Sequence, residues 1–104
     1  MINDVVIIGA KRSIIGSNSG SLKSLSAGDL ASSVIDYMLK EIEDKNGDFS
    51  RTEISSFISG ICVGSNIGQN LPRQIMEKCG IRETETAFSL NEMCGSGMEA
   101  VIQA

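Results

Sequence analysis

The sequence predicts an α/β fold: the beginning of a parallel sheet in which strands and helices alternate as β-α-β-α-β-α. Short apolar runs typical of buried strands occur at Val5–Ala10, Phe57–Val63 and Thr86–Leu90. The segments that follow these runs carry helical periodicity or helix-capping residues. Since parallel strands need a crossover connection, usually a helix, this alternation predicts parallel strands with right-handed crossovers.

The first predicted strand, Val5–Ala10, is apolar throughout, as expected of a strand covered on both faces. A Gly/Ser-rich loop follows from Lys11 to Leu25. Lys11 and Arg12 could contact an anion, but a solvated or salt-bridged pair is the more ordinary interpretation.

The first predicted helix begins after Ser26, which resembles an N-cap with Asp29 three residues later. Polar residues 44–48 end the helix, and Ser50 with Glu53 predicts a second capping box over one short turn. Apolar residues at helical spacing predict its buried stripe, which comprises Leu30, Val34, Ile35, Met38, Leu39 and Ile42.

The second strand contains Gly60, which indicates close packing of a neighbouring element. After it, Asn70 is a good N-cap, Pro72 suits the first turn, and Gly80 suits the position after the last turn. These residues predict a helix over Leu71–Cys79. The Gly68-to-Asn70 loop with Arg73 could serve a subunit contact or a site wall, or be simply a glycine loop and a cap.

A cysteine stands at the predicted turn between the third strand and the third helix, in the sequence Asn91-Glu92-Met93-Cys94-Gly95-Ser96-Gly97. The free N–H groups and partial positive charge of a first helical turn favour a thiolate. Gly95 and Gly97 leave room for a bulky acyl group and a tight turn. Cys94 is therefore a candidate nucleophile, with a buried structural cysteine as the alternative.

The third helix is predicted to be buried, because it is apolar nearly all round. It reaches the last residue with no capping glycine, terminal basic residue or proline. We therefore expect residues 1–104 to be a partial N-terminal domain, interrupted within this helix. The apolar positions are Met98, Ala100, Val101, Ile102 and Ala104.

Composition narrows the class of protein. The net charge is −4 with no basic run, which argues against nucleic acid as a partner. Three cysteines without framework spacing favour a reducing compartment, and no signal peptide or membrane-length apolar run is visible. We expect a cytoplasmic protein without membrane contact. The absence of histidine argues against a metal site.

Taken in order, these motifs resemble the thiolase family of the acetyl-CoA acetyltransferase type. Asn91 to Gly97 resembles its active-cysteine motif, residues 4–10 resemble its first strand, and residues 64–74 resemble the loop and helix after its second strand. Residues 11–16 resemble its Arg-Thr-Pro-x-Gly segment, although Ser13-Ile14 replaces Thr-Pro. Glu92 and Glu99 also stand where basic or neutral residues are common.

The resemblance implies a thiolase-like fold and a reaction. Cys94 would take an acyl group from acyl-CoA, with its backbone N–H helping to stabilise the oxyanion. A second acyl-CoA would then attack the acyl-cysteine to give a 3-ketoacyl-CoA, and CoA would drive the reverse thiolysis. Coenzyme A thioesters are thus substrates, with no bound cofactor. The family also joins subunits through the third strand, which implies a homodimer or dimer of dimers through Thr86–Leu90.

The resemblance also implies partners that these residues do not supply. Thiolases use a histidine, a second cysteine and an asparagine-bound water, and this sequence has no histidine. Cys62, predicted inside a buried strand, and Cys79, at the end of a helix stripe, are interpreted as structural. Residues 1–104 alone are therefore expected to be inactive.

Two alternatives stay open. A β-ketoacyl synthase also attacks with a cysteine at a buried helix start, although Cys94-Gly95-Ser96-Gly97 favours the thiolase branch. A truncated, inactive fragment that serves as a folding or subunit-interface module is the other alternative.

Overall fold

The computed structural model describes residues 4–104 and confirms the α/β class, with helices on both faces of a parallel sheet. Two 3₁₀ turns accompany three helices and two strands. In chain order the elements are α1 (Ala27–Lys45), a 3₁₀ turn (Arg51–Glu53), β1 (Ser56–Gly60), α2 (Leu71–Cys79), β2 (Thr86–Leu90), a second 3₁₀ turn (Met93–Gly95) and α3 (Ser96–Gln103).

The sheet pairs β1 with β2 in parallel, with Ser56 opposite Thr86 and Gly60 opposite Leu90. The predicted second and third strands are thus neighbours, and the predicted bounds of the third strand are confirmed. Phe57 of β1 packs against the core on the α2 side of the sheet, whereas Gly60 faces α3. Alternate residues of a strand point to opposite faces, so α2 and α3 cover opposite faces of the sheet.

The prediction of a first strand at Val5–Ala10 is wrong for this structure. Within residues 4–104, that segment forms no strand and no backbone hydrogen bond with β1. It lies instead along α1, where a Cβ on Gly9 would come 2.7 Å from Cδ1 of Ile42. The outer edge of β1 has no strand partner within residues 4–104, yet this segment does not pair with it, and Ile7 is 83% exposed.

The capping predictions for α1 and the turn after it are confirmed. Ser26 Oγ accepts from the Asp29 N–H at 3.0 Å, and Ser50 with Glu53 forms a capping box. The predicted stripe is only partly buried, with Leu39 its one fully buried member within the described chain. The other buried positions of α1 are small residues, Gly28 and Ser32, because α1 packs closely against α2.

Helix α2 is central to the hydrophobic core, and its predicted bounds are confirmed. Asn70 Oδ1 accepts from the Arg73 N–H at 3.1 Å, and Gly80 closes the helix with a left-handed φ of 68°. The core cluster consists of Leu39, Leu71, Ile75, Met76, Cys79 and Ile81.

Helix α3 does not confirm the prediction of a buried third helix. Ser96 and Ala100 are buried against the sheet, but Met98 is 71% exposed and Val101 is 70% exposed. A two-stranded sheet contacts only one side of a helix, and α3 packs mainly on β1 in the described residues. No helix within residues 4–104 is long and apolar enough to cross a membrane.

Candidate active site

Cys94 lies where the sequence placed it, in the connection from strand β2 to helix α3. It is the middle residue of the Met93–Gly95 turn, two residues before Ser96, the first residue of α3, and it is exposed. Within residues 4–104, its thiol has no hydrogen-bond partner. The thiol is therefore accessible and unengaged, as a nucleophile requires and a buried structural cysteine does not show.

The tight turn depends on Met93 rather than on the two glycines. Met93 has a left-handed φ of 49°, whereas Gly95 has a negative φ of −84°, which any residue can adopt. A left-handed backbone costs a side-chain-bearing residue roughly 1–2 kcal/mol, so surrounding contacts must hold it. The expectation that glycines make the turn is thus corrected. At Gly97 a Cβ would meet nothing within 4 Å, so the space expected beside the cysteine is present.

Two side chains of the motif hold this turn. Asn91 Oδ1 accepts from the Met93 N–H at 2.9 Å, while its Nδ2 donates to the Cys62 carbonyl at 3.0 Å. Ser96 Oγ donates to the Met93 carbonyl at 2.6 Å and accepts from the Glu92 N–H at 2.8 Å. Asn91 therefore ties the turn to the segment after β1, and Ser96 ties it to α3.

Gly60 allows the start of α3 to lie directly on β1. A Cβ at this position would come 2.4 Å from the carbonyl carbon and oxygen of Ser96 and 2.7 Å from the Gly97 nitrogen. Real Cβ atoms do not approach backbone so closely, which confirms the prediction that this glycine permits close packing. The position of the cysteine turn over the sheet thus depends on one missing side chain.

The prediction that Cys62 lies inside a buried strand is wrong. Strand β1 ends at Gly60, and Cys62 is exposed with its thiol donating to the Met93 carbonyl. Sequence reasoning missed this contact. The signal was available, because the carboxyl ends of neighbouring parallel strands meet at one edge of a sheet, where sites form.

Cys79 is a structural cysteine, as predicted. Its side chain is buried in the core, and its Sγ lies 3.5 Å from the Ser32 carbonyl oxygen. Burial, with a smaller contribution from the charge of Asp36, raises the pKa of the Cys79 thiol. A thiol of this kind is a poor nucleophile at neutral pH.

Three of the remaining polar candidates, Lys11, Asn70 and Arg73, have structural partners. Lys11 forms an ion pair with Glu41 at 2.7 Å, which confirms the salt-bridged interpretation. The hydrogen bond from Lys11 lowers the pKa of Glu41 to about 2. Arg73 donates to the Glu83 and Glu85 carbonyls, and Asn70 Nδ2 donates to the Ala87 carbonyl at 3.1 Å, so this loop supports the entry to β2.

A cleft of about 260 Å³ opens beside the cysteine turn, with Asn91 in its wall. Cys94 does not line it, and the polar side chains at its wall are uncharged. The cleft adjoins the turn without containing the candidate nucleophile. Its wall includes Ile61, Ile67, Asn70, Ser89, Leu90 and Asn91.

Comparison with known proteins decides the family. The family model described as the thiolase N-terminal domain matches residues 5–104. The chain belongs to the thiolase family. An acetyl-CoA acetyltransferase from Allochromatium vinosum is 38% identical over 101 residues, which are 97% of this chain and 24% of that protein. The Escherichia coli acetyl-CoA acetyltransferase is 35% identical over 103 residues, covering 99% of this chain and 25% of its own length.

Solved thiolase structures share the fold. The acetyl-CoA acetyltransferase from Syntrophomonas wolfei superposes with a TM-score of 0.84 at 26% identity, covering 94% of this chain and 24% of that one. A thiolase from Ascaris suum in complex with coenzyme A gives a TM-score of 0.76 at 30% identity, covering 85% and 22%. The chain thus spans about a quarter of the length of these thiolases.

Proposed function

We propose that this chain is the nucleophile-bearing N-terminal part of an acetyl-CoA acetyltransferase, with Cys94 as the residue that is acylated. The observation that carries the proposal is the exposed, unengaged thiol of Cys94 at the start of α3, in a chain of the thiolase family. The acetyl-CoA acetyltransferases similar to this chain support acetyl-CoA as the substrate.

In the proposed reaction, the Cys94 thiolate attacks the carbonyl carbon of acetyl-CoA. A carbon–sulfur bond to Cys94 forms, the bond to coenzyme A breaks, and the leaving thiolate takes up a proton. A second acetyl-CoA loses a proton from its α carbon and attacks the acetyl-cysteine. Acetoacetyl-CoA forms as the bond to Cys94 breaks. In the opposite direction, coenzyme A cleaves a 3-ketoacyl-CoA by the same steps.

The Cys94 N–H is the group that we propose for stabilising the oxyanion of these steps. The Cys94 N–H belongs to the turn before α3 and, within residues 4–104, donates to no backbone carbonyl outside that turn. Free N–H groups at a helix start favour negative charge on a nearby oxygen. We infer that this N–H is one oxyanion donor, and that no bound cofactor takes part.

The acid–base groups must come from elsewhere. The sequence contains no histidine, Cys79 is buried, and the Cys62 thiol is engaged with a carbonyl of the turn. We therefore propose that a longer polypeptide supplies the residues that move protons, and that residues 1–104 alone are inactive. A thiolase acting on coenzyme A esters with three free cysteines suits the cytoplasm.

We also propose a homodimer, or a dimer of dimers, formed through Thr86–Leu90. Within the described residues, β2 pairs only with β1, so its other edge has no strand partner. Free strand edges are normally paired or covered. Pairing β2 with its copy would satisfy this edge about a two-fold axis and would place Cys94 just behind the interface.

The first prediction concerns acylation of Cys94 in the complete polypeptide that carries these residues. After incubation with acetyl-CoA, peptide mass spectrometry should locate the acetyl group on Cys94. Cys94→Ser should lower turnover by about three orders of magnitude or more, because a hydroxyl is a weak nucleophile without strong base activation.

Cys79→Ser is the matched control, since it removes a thiol that is buried away from the turn. Cys79→Ser should lower the free energy of unfolding, and acetylation should still occur on Cys94. Acetylation of Cys62 or Cys79 with Cys94 unmodified would overturn the assignment. Condensation that requires an acyl carrier protein instead of coenzyme A would favour a β-ketoacyl synthase.

A further inference from the structure

The carbonyl of Met93 is a meeting point of donors from two parts of the chain. Ser96 Oγ approaches it from the start of α3, three residues along the chain. The Cys62 thiol approaches it from the segment after β1, 31 residues away in sequence. The Ser96 contact is local to the turn, whereas the Cys62 contact links the turn to the sheet.

The same two segments are linked a second time. The backbone carbonyl of Cys62 accepts from Asn91 Nδ2, and Asn91 Oδ1 accepts from the Met93 N–H. Both polar groups of the left-handed Met93 are therefore tied to Cys62, one directly and one through Asn91. Met93 immediately precedes Cys94, so its peptide plane sets the direction in which the nucleophile points.

We propose that Cys62 is a positioning residue for Cys94, acting through its thiol hydrogen bond to the Met93 carbonyl. The role in catalysis rests on the function proposed above, but the effect on the orientation of Cys94 does not. Because a left-handed backbone at a methionine is unfavourable, the turn relaxes when a contact that holds it is removed. Relaxation moves the Cys94 thiol from its exposed position.

The test compares Cys62→Ala, which removes the donor, with Cys62→Ser, which keeps a donor of similar size. Each is made in the complete polypeptide. The first readout is the rate at which iodoacetamide alkylates Cys94, followed on the Cys94 peptide by mass spectrometry. The second is the separate measurement of kcat and KM with acetoacetyl-CoA and coenzyme A. Thermal unfolding of each variant reports any general loss of stability.

Cys62→Ala should slow Cys94 alkylation and lower kcat by about three- to tenfold with little change in KM, the loss expected for one hydrogen bond to the turn. Cys62→Ser should restore both rates to within about twofold, because a hydroxyl donates to the same carbonyl. Cys79→Ser is the control, since it should lower the unfolding temperature without changing the rate of Cys94 alkylation.

Unchanged Cys94 alkylation in Cys62→Ala would overturn the proposal, as would a serine variant as slow as the alanine variant. If Cys62→Ala does not fold, Ser96→Ala provides a second test, because it leaves the Cys62 thiol as the side-chain donor to the Met93 carbonyl. Adding Cys62→Ser to this variant should keep its rate of Cys94 alkylation, whereas adding Cys62→Val should lower that rate. If the wild-type protein shows no thiolase turnover, the proposed function fails, while the alkylation rates still decide the role of Cys62.

Discussion

At the scale of single residues, the candidate site depends on backbone conformation as much as on the cysteine. Met93 carries the left-handed conformation of the turn, and Gly60 leaves the space into which the start of α3 fits. Neither residue has chemistry of its own in the proposed reaction. Each controls where Cys94 lies, which makes substitutions here informative about geometry rather than about reactivity.

Gly60→Ala should destabilise the protein and misplace the cysteine turn. The added methyl group would meet the backbone of Ser96 at 2.4 Å, so α3 must move away from β1. Overpacking of this kind costs about 1–3 kcal/mol, and alkylation of Cys94 should slow as well. Chemical denaturation and the iodoacetamide rate measure the two effects.

Gly47→Ala is the matched control for Gly60→Ala. A Cβ at Gly47 would meet nothing within 4 Å, and its φ is not left-handed. It should leave both the unfolding free energy and the Cys94 rate close to those of the wild type. A Gly60→Ala variant as stable as this control would contradict the close approach of β1 and α3.

At the scale of elements, Arg51 joins three parts of the fold. Its guanidinium group bonds Asp36 at 2.7 Å and Glu43 at 2.6 Å, both on α1, and the Cys79 carbonyl at 2.7 Å at the end of α2. The side chain is only 16% exposed. The 3₁₀ turn before β1 is thereby fastened to the helices that pack on the sheet.

Arg51→Leu should lower the free energy of unfolding by about 1–3 kcal/mol, between the values typical of exposed and of buried ion pairs. The loss should also change the pH dependence. The hydrogen bond from Arg51 is the main cause that lowers the pKa of Asp36 below its usual 3.8. A lowered folded-state pKa adds stability above the unfolded value, and that stability is lost as the pH falls through the folded one.

The free energy of unfolding of the wild-type protein should therefore fall below about pH 4. In the Arg51→Leu variant it should fall less steeply as the pH decreases. Urea denaturation between pH 7 and pH 2.5 measures both. Arg82→Leu is the control, because Arg82 pairs with Glu85 at a site where it is 54% exposed. If the free energy of unfolding falls equally steeply with decreasing pH in all three proteins, the Arg51–Asp36 pair is not the cause of the acid destabilisation.

At the scale of the whole molecule, two of the exposed apolar surfaces of the described residues stand out. One is the segment Val5–Ile8, and the other is the outer side of α3, with Met98, Val101 and Ile102. Strand β2 pairs with β1 on one edge, and its outer edge has no strand partner within residues 4–104. Exposed apolar area of this kind marks surfaces that associate, either with further chain or with another subunit.

The complete polypeptide should sediment as a dimer or a larger assembly at micromolar concentration. Phe88, on β2, is 40% exposed, and Phe88→Asp would place a charge at the proposed interface. This variant should shift the protein toward monomer, because an unpaired charge is costly to bury. Ser33→Asp, on an exposed position of α1, should keep the wild-type assembly state. A wild-type protein that sediments as a monomer would refute the interface.

Local features of the fold followed from the sequence alone. The bounds of α2 and β2, the caps at Ser26, Ser50 and Asn70, and the place of Cys94 between a strand and a helix were all predicted and confirmed. Each depends on residues a few positions apart, so spacing suffices to predict them. The family was also indicated by motifs that occur in order along the chain and was confirmed by comparison.

Other features were decided by tertiary structure, because they depend on segments that are far apart in sequence. Val5–Ala10 has strand composition, but it lies along α1 and forms no backbone hydrogen bond with β1, so packing rather than composition decided its conformation. The third helix is apolar enough to be buried, yet only the side that meets β1 is covered. The contact between Cys62 and Met93 spans 31 residues, so no local pattern could reveal it. Sequence thus indicated the three helices, the two paired strands and the candidate nucleophile, whereas tertiary packing decided the conformation of residues 5–10 and what holds Cys94 in place.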